Sequence, residues 1–173
     1  MNRYFTVLAT AAFVAAGAFA QQNPFTTGTK SLYGMIKGNL VKAAEKMPEE
    51  NYSFKPTPEV RSFGEIVGHV ADAQFMFCST AKGEQKQSNA EKSKTSKADL
   101  VAALKESVAY CDAVYNSMTD QQGAGTVKFF GRDSTKLGLL DFNVAHDNEH
   151  YGNIVTYMRL KGLVPPSSEQ QSR

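Results

Sequence analysis

Residues 135–161 read TKLGLLDFNVAHDNEHYGNIVTYMRLK and contain the strongest fold signal in the chain. The stretch has no proline, and its apolar residues recur at about helical intervals, which predicts one long amphipathic helix. It also contains His146 and His150, two of the three histidines of the chain. Because they are four residues apart, their imidazoles share one helical face with apolar side chains and point inward. Such a face is typical either of a metal site or of an ordinary core.

Three further segments show the same helical period. Ser62 with Glu65 three residues later forms a capping box at the start of one of them. No convincing strand pattern is present, and residues 126–130 are at most a short extended piece. Four helices of about 20 residues each predict an all-α fold, a four-helix bundle about 30 Å long. The predicted helices span about residues 28–47, 62–82, 97–118 and 134–161.

The connecting segments are polar or rich in proline. Residues 48–60 contain three prolines and are predicted to cross the end of the bundle as a loop. Residues 83–96 contain lysines interleaved with acidic residues and are interpreted as a solvated loop. The polar tail from about residue 167 is predicted to be disordered.

Residues 1–20 are predicted to be a secretory signal peptide. They combine Arg3 with an apolar run and a small-residue cleavage signal that ends at Ala20. The alternative is a retained membrane anchor, for which the run is rather short. Cleavage after Ala20 leaves residues 21–173 as a single domain without a membrane anchor, exported to the periplasm or secreted.

Charge and cysteine content limit the function classes. The formal net charge of the chain is +2, and loss of Arg3 with the leader reduces it to +1. This near-neutral balance argues against nucleic acid as a partner, because such surfaces need a concentrated basic patch. Cys78 and Cys111 each lie in an apolar helical pattern, so they form either a disulfide or two free core thiols. Neither is expected to be a nucleophile.

The third histidine, His69, lies in the middle of the apolar stripe of the second helix. Three buried imidazoles without a shared partner would need several separate hydrogen bonds. One divalent ion on His69, His146 and His150 satisfies three nitrogens at once and leaves a coordination position open, as in catalytic sites. Nitrogen ligands suit zinc, nickel, copper or iron. Polar residues on or beside this face, which either contact the ligands or face solvent, are Asp72, Asn143, Asp147, Glu149 and Asn153.

Three blocks of the sequence resemble the DinB-like (DNA-damage-inducible) four-helix metalloenzymes. They read MPEENYSFKPTPEVRSFGEIVGHVAD at 47–72, FCSTAKGE at 77–84 and HDNEHYGNIVTYMRLKGLVPPSS at 146–168. The resemblance implies a bundle of unusual handedness that binds a divalent metal, commonly nickel or zinc, through three histidines. The family pattern places these ligands at His69, His146 and His150.

The resemblance implies less about the reaction. Family members with an assigned activity resemble thiol-dependent transferases and isomerases that use low-molecular-weight thiols such as bacillithiol or mycothiol. These thiols are cytosolic reductants, so an exported member departs from that pattern. Related bundles often pair as dimers, which allows a homodimer here.

Two functional hypotheses follow. A third hypothesis is that the three histidines are ordinary polar residues of the core. The first is an enzyme, transferase-like or hydrolase-like, that acts on an unknown small-molecule substrate at an ion with an open coordination position. The alternative is a non-catalytic binding or stress-response module in which the ion stabilises the fold. A fourth protein ligand would favour the module, and the suspects are Tyr52, Asp72 and Glu149.

Overall fold

A computed structural model of the chain describes residues 22–169. The predicted signal peptide and the last part of the polar tail lie outside this range. Helices predominate, and two short strands form a hairpin. The elements are α1 (Pro24–Lys46), a 3₁₀ turn (Glu49–Asn51), α2 (Phe63–Lys82), α3 (Ala90–Ser93), α4 (Lys97–Ser117), α5 (Asp120–Gly123), β1 (Thr126–Phe129), β2 (Arg132–Thr135), α6 (Lys136–Leu160) and a second 3₁₀ turn (Pro166–Ser168).

The four long helices α1, α2, α4 and α6 form the predicted all-α bundle. Helix α2 packs against α4 and α6, and α1 packs against the same two helices from the other side of the core. Each helix contributes large apolar side chains, and full burial of such a side chain stabilises the fold by about 1.5–3 kcal/mol. Within residues 22–169 no helix has the length and apolarity needed to cross a membrane. The largest fully buried side chains include Tyr33, Leu40, Phe63, Leu100, Leu104, Leu139, Ile154 and Met158.

Local sequence signals explain where the helices begin and end. The capping box at α2 forms as predicted, because the Ser62 hydroxyl accepts from the Glu65 amide and the Glu65 carboxylate accepts from the Ser62 amide. Gly83 ends α2 with a φ of 88°, in the left-handed region that favours glycine. Helix α1 begins at Pro24 and therefore starts earlier than residue 28, the predicted start. Proline suits this first turn because its missing N–H would have no helical partner there.

Two segments predicted to be solvated or disordered each contact the bundle. Within residues 83–96, helix α3 buries Ala90 to 1% exposure against the bundle. At the start of the polar tail, the Tyr151 hydroxyl donates to Ser167 Oγ and accepts from the Ser167 amide. Polar composition alone does not reveal a single buried alanine or a tyrosine on another helix, although much of residues 83–96 is exposed as predicted. Residues 170–173 of the tail lie outside the described range.

The hairpin covers the bundle beside α6. Its strands pair antiparallel, with Thr126 opposite Thr135 and Phe129 opposite Arg132. The ring of Phe129 lies 5.4 Å from that of Phe77 on α2, measured between centroids. Only the first strand was anticipated, since residues 132–135 are polar and lack alternating apolar residues.

The two cysteines form a disulfide between α2 and α4. Cys78 and Cys111 are fully buried, and their Cα atoms are 5.4 Å apart. The sequence left the choice between bridge and free thiols open, and the structure has the bridge. Neither sulfur is therefore a free thiol nucleophile.

Removal of this bridge should lower stability substantially. Its closed loop spans 33 residues, for which the chain-entropy relation gives about 3–4 kcal/mol at 25 °C. The Cys78→Ala/Cys111→Ala variant should therefore unfold at clearly lower urea concentration than the oxidised wild type. Identical unfolding midpoints, measured by circular dichroism, would show that the bridge does not stabilise the bundle.

Candidate metal centre

The three histidines meet where α2 packs against α6. His69 is on α2, and His146 and His150 lie one turn apart on α6. The Nε2 atom of His146 is 3.2 Å from Nε2 of His69 and 3.1 Å from Nε2 of His150. One ligand atom from each histidine lies within 4.8 Å of the others, and residues 22–169 contain no other such group of three or more histidine, cysteine or acidic side chains. The structure thus brings together all three predicted site residues.

The distances from Nε2 of His146 to the other two Nε2 atoms fit one shared metal ion. Metal–nitrogen distances of about 2.0–2.1 Å place imidazole nitrogens on one ion roughly 2.9–3.4 Å apart, for bond angles between 90° and tetrahedral. Hydrogen bonds between the three rings cannot satisfy all three of their Nε2 atoms. His146 Nε2 touches both neighbours, yet a ring nitrogen carries at most one proton and can donate to only one of them. A divalent ion would accept all three lone pairs.

The outer nitrogens of the three rings differ in their surroundings. His69 Nδ1 is 3.0 Å from Glu91 Oε2. A carboxylate only accepts, so we infer that Nδ1 carries the proton and Nε2 the lone pair. The Nδ1 atoms of His146 and His150 are buried and have no hydrogen-bond partner among the described residues. Within the described part of the chain, only His69 therefore has a hydrogen bond that orients its ring through the outer nitrogen.

Burial keeps the two histidines of α6 neutral. It lowers the pKa of His146 to about 4, assisted by the positive potential of His150 and His69. Burial likewise lowers the pKa of His150 to about 4, with His69 as the next cause. Neutral imidazole is the metal-binding form, so both rings are ready to bind a metal at pH 7 without losing a proton.

Glu91 was not among the site residues predicted from the sequence. It lies in the polar segment between α2 and α4, where neither periodicity nor a motif distinguishes it from its neighbours. Burial acts to raise its pKa, but the hydrogen bonds from Arg61 and His69 prevail and hold it below the ordinary value. Glu91 is therefore a charged carboxylate beside His69.

Several predicted neighbours of the histidines have other roles. Asn143 donates to the hydroxyl of Tyr115 and is fully buried in the core. Asp147 was placed at the margin of the histidine face, but it is also fully buried and accepts from Gln74. Burial raises its pKa well above the ordinary value. Neither Asn143 nor Asp147 makes a hydrogen bond to any of the three imidazoles in the described part of the chain.

The suspected fourth ligands are largely engaged elsewhere. The Tyr52 hydroxyl donates to the carbonyl of Ala44. Both carboxylate oxygens of Asp72 accept backbone N–H groups, from Ala90 and from Glu91. Glu149 is exposed and lies at a cavity next to the histidines. Tyr52 and Asp72, suspects under the alternative hypothesis, are therefore engaged away from the three histidines.

A cavity of about 600 Å³ borders the cluster. Glu91 lines this cavity and also a second one of about 530 Å³, which contains none of the three histidines. On the opposite side, the ring of His146 packs edge-on against Phe77 at 5.2 Å between centroids. The cluster thus has an apolar wall on one side and a polar opening on the other. Side chains that line the opening include Arg61, Glu91, Glu149, His150, Asn153 and Tyr157.

The chain is thus a helical bundle with a cluster of three histidines. The family model described as the DinB superfamily matches residues 36–154. The chain therefore belongs to the DinB superfamily, as the sequence blocks predicted.

Individual relatives agree with this assignment. The uncharacterized protein YjoA of Bacillus subtilis is 27% identical over 122 residues, which cover 69% of this chain and 79% of YjoA. A DinB-like protein from Bacillus cereus superposes with a TM-score of 0.71 at 20% identity, over 81% of this chain and 95% of the other. The crystal structure of YjoA gives a TM-score of 0.67 at 22% identity, over 83% and 99% of the two chains.

A mutant of a mycothiol-dependent maleylpyruvate isomerase has the same fold. Its TM-score is 0.64 at 14% identity, and the match covers 75% of this chain and 60% of the isomerase. At these low identities the structural matches establish the fold alone.

The pKa shifts predict how the metal-free protein responds to acid. The ring signals of His146 and His150 should stay in the neutral form at pH 6 and titrate near pH 4, as followed by NMR. Because both pKa values lie below the ordinary 6.5, protonation favours the unfolded chain. The rings contribute stability that is fully present above pH 6.5 and is lost as the pH falls toward 4. Titration of both rings near 6.5 would contradict the buried geometry.

Proposed function

We propose that the protein is a metal-dependent enzyme that holds one divalent transition-metal ion on His69, His146 and His150 and acts on a small molecule in the adjoining cavity. The observation that carries the proposal is the convergence of the three histidines, in which Nε2 of His146 lies within 3.2 Å of Nε2 of both His69 and His150. Nickel and zinc are the metals we favour, because imidazole nitrogen suits both and the resemblance points to them.

The coordination sphere supports an enzyme over a purely structural ion. No fourth histidine, cysteine or acidic side chain among residues 22–169 joins the cluster. Structural zinc sites are almost always closed by four protein ligands, whereas catalytic sites keep one position for water or substrate. His150 is at once a proposed ligand and a wall of the cavity. An open position would therefore face space that a small substrate can enter.

Each part of the site then has a chemical role. A bound divalent ion supplies a Lewis acid that polarises a carbonyl or acidifies a bound water or thiol. His146 and His150 offer neutral nitrogens, and Glu91 orients His69. Arg61 and Glu149 give the cavity both signs of charge to bind polar groups of the substrate, and Phe77 shields the cluster on its apolar side.

The reaction class is best approached through two groups of candidates. The mycothiol-dependent maleylpyruvate isomerase shares the fold, which supports screens for thiol-dependent transfer and isomerisation. Metal-assisted hydrolysis needs only water and is the other candidate, especially for a protein outside the cytoplasm.

Export is itself part of the proposal, with cleavage after Ala20. The Cys78–Cys111 disulfide supports it, because such bridges persist in oxidising compartments.

Loss of one ligand should abolish tight metal binding. The mature protein, purified without a histidine tag, should contain close to one transition-metal ion per chain by elemental analysis. His146→Ala should lose that ion, because two remaining imidazoles bind far more weakly than three. Asn148→Ala, at an exposed position on the same helix, is the matched control and should keep it.

Two results would count against this proposal in different ways. Metal content unchanged in His146→Ala would show that the ligand set is wrong. A stoichiometric ion that raises the melting temperature, but supports no turnover of thiol-transfer, isomerisation or ester-hydrolysis substrates, would favour the non-catalytic module.

A further inference from the structure

Among residues 22–169, Glu91 is the one carboxylate with a hydrogen bond to an imidazole of the centre. Its Oε2 lies 3.0 Å from His69 Nδ1, the ring nitrogen remote from the three-nitrogen cluster. The side chains of both residues are about three-quarters buried, at 24% and 23% exposure. The contact is therefore partly shielded from water, which makes it stronger than a surface pair.

The backbone at Glu91 is held directly against α2. A Cβ atom placed on Gly68 would lie 2.6 Å from the Cα of Glu91 and 2.7 Å from its N. Only glycine therefore allows this approach. One turn further on, the Asp72 carboxylate accepts the amides of Ala90 at 2.7 Å and of Glu91 at 3.0 Å. Residues 68 to 72 of α2 thus hold the backbone of Glu91 beside His69.

The side chain of Glu91 is fixed separately. Its second oxygen, Oε1, accepts from Nε of Arg61 at 2.8 Å. The backbone of Arg61 is in turn held by Tyr157 of α6, whose hydroxyl donates to its carbonyl at 2.6 Å. The carboxylate therefore has one oxygen on each partner, and its position depends on both α2 and α6.

We propose that Glu91 is a positioning residue of the metal centre: it keeps the proton of His69 on Nδ1 and directs the Nε2 lone pair toward His146 and His150. The inference rests on the proposed metal function and extends it to a residue that is not itself a ligand. A carboxylate on the outer nitrogen fixes the tautomer and increases the basicity of the ligating nitrogen. Arg61 contributes by holding the carboxylate in place.

The tautomer of His69 provides a test that needs no metal. In metal-free protein at pH 8, ¹⁵N NMR should show His69 protonated on Nδ1. Glu91→Ala should shift the population toward protonation on Nε2, because the acceptor for the Nδ1 proton is lost. Glu91→Gln keeps one accepting oxygen for two donors, Arg61 and His69, so its tautomer population should lie between wild type and Glu91→Ala. Glu84→Ala removes an exposed glutamate that pairs with Lys82 and should change nothing.

Metal affinity provides the second readout. Glu91→Ala should bind zinc or nickel about 10–100-fold more weakly than wild type, the usual cost of losing an outer carboxylate. Glu91→Gln should lie between the two. Gly68→Ala should weaken binding without removing any charge, because the added methyl group pushes Glu91 away. Gly34→Ala, where an added Cβ meets nothing within 4 Å, is its control.

Two results would overturn the role of Glu91: an unchanged His69 tautomer in Glu91→Ala, or equal metal affinity in Glu91→Ala and Glu84→Ala. Failure of the wild type to bind any tested metal would instead remove the proposed function. The tautomer comparison would then still decide whether Glu91 orients His69.

Discussion

The site depends on three imidazole nitrogens that are held close together in a half-buried interface between two helices. Their Nε2 atoms lie 3.1–3.2 Å from the one at the centre, that of His146. At that spacing, protonated rings would repel each other, and in neutral rings Nε2 of His146 can donate to only one of its two neighbours. Burial lowers the pKa of His146 and of His150, and the positive potential of a neighbouring ring lowers each further. A divalent cation would relieve both problems, and this supports the proposed metal centre.

The rest of the structure keeps the two ligand-bearing helices in register. The Cys78–Cys111 bridge ties α2 to α4, and Gln74 on α2 hydrogen-bonds to Asp147 on α6 at 3.3 Å. Glu91 and Arg61 link the ends of the same two helices near the cavity. Sites built on rigid helices and supported by such outer contacts hold their geometry better than sites on loops. The polar segment 83–96 contributes to this support and is more than a connection.

Much of the fold could be predicted because its signals are local. The helical period, the Ser62–Glu65 capping box and the spacing of His146 and His150 need only neighbouring residues. Glu91 could not be found in this way, since its contact with His69 depends on a close approach at Gly68 that has no local signature. The burial of Asp147 was missed for a related reason. The side chain of Asp147 projects from α6 in a different direction from the histidines, but other helices of the bundle surround it on that side.

X-ray absorption spectroscopy of the mature protein, loaded with one equivalent of zinc or nickel, would show directly which atoms bind the ion. We expect three imidazole nitrogens at about 2.0–2.1 Å, with the remaining scatterers fitted by light atoms from solvent and none by sulfur. The Glu91→Ala variant should keep the same three nitrogens, because Glu91 is not a ligand. A first shell with one or no imidazole nitrogens, or with a sulfur scatterer, would contradict the three-histidine centre.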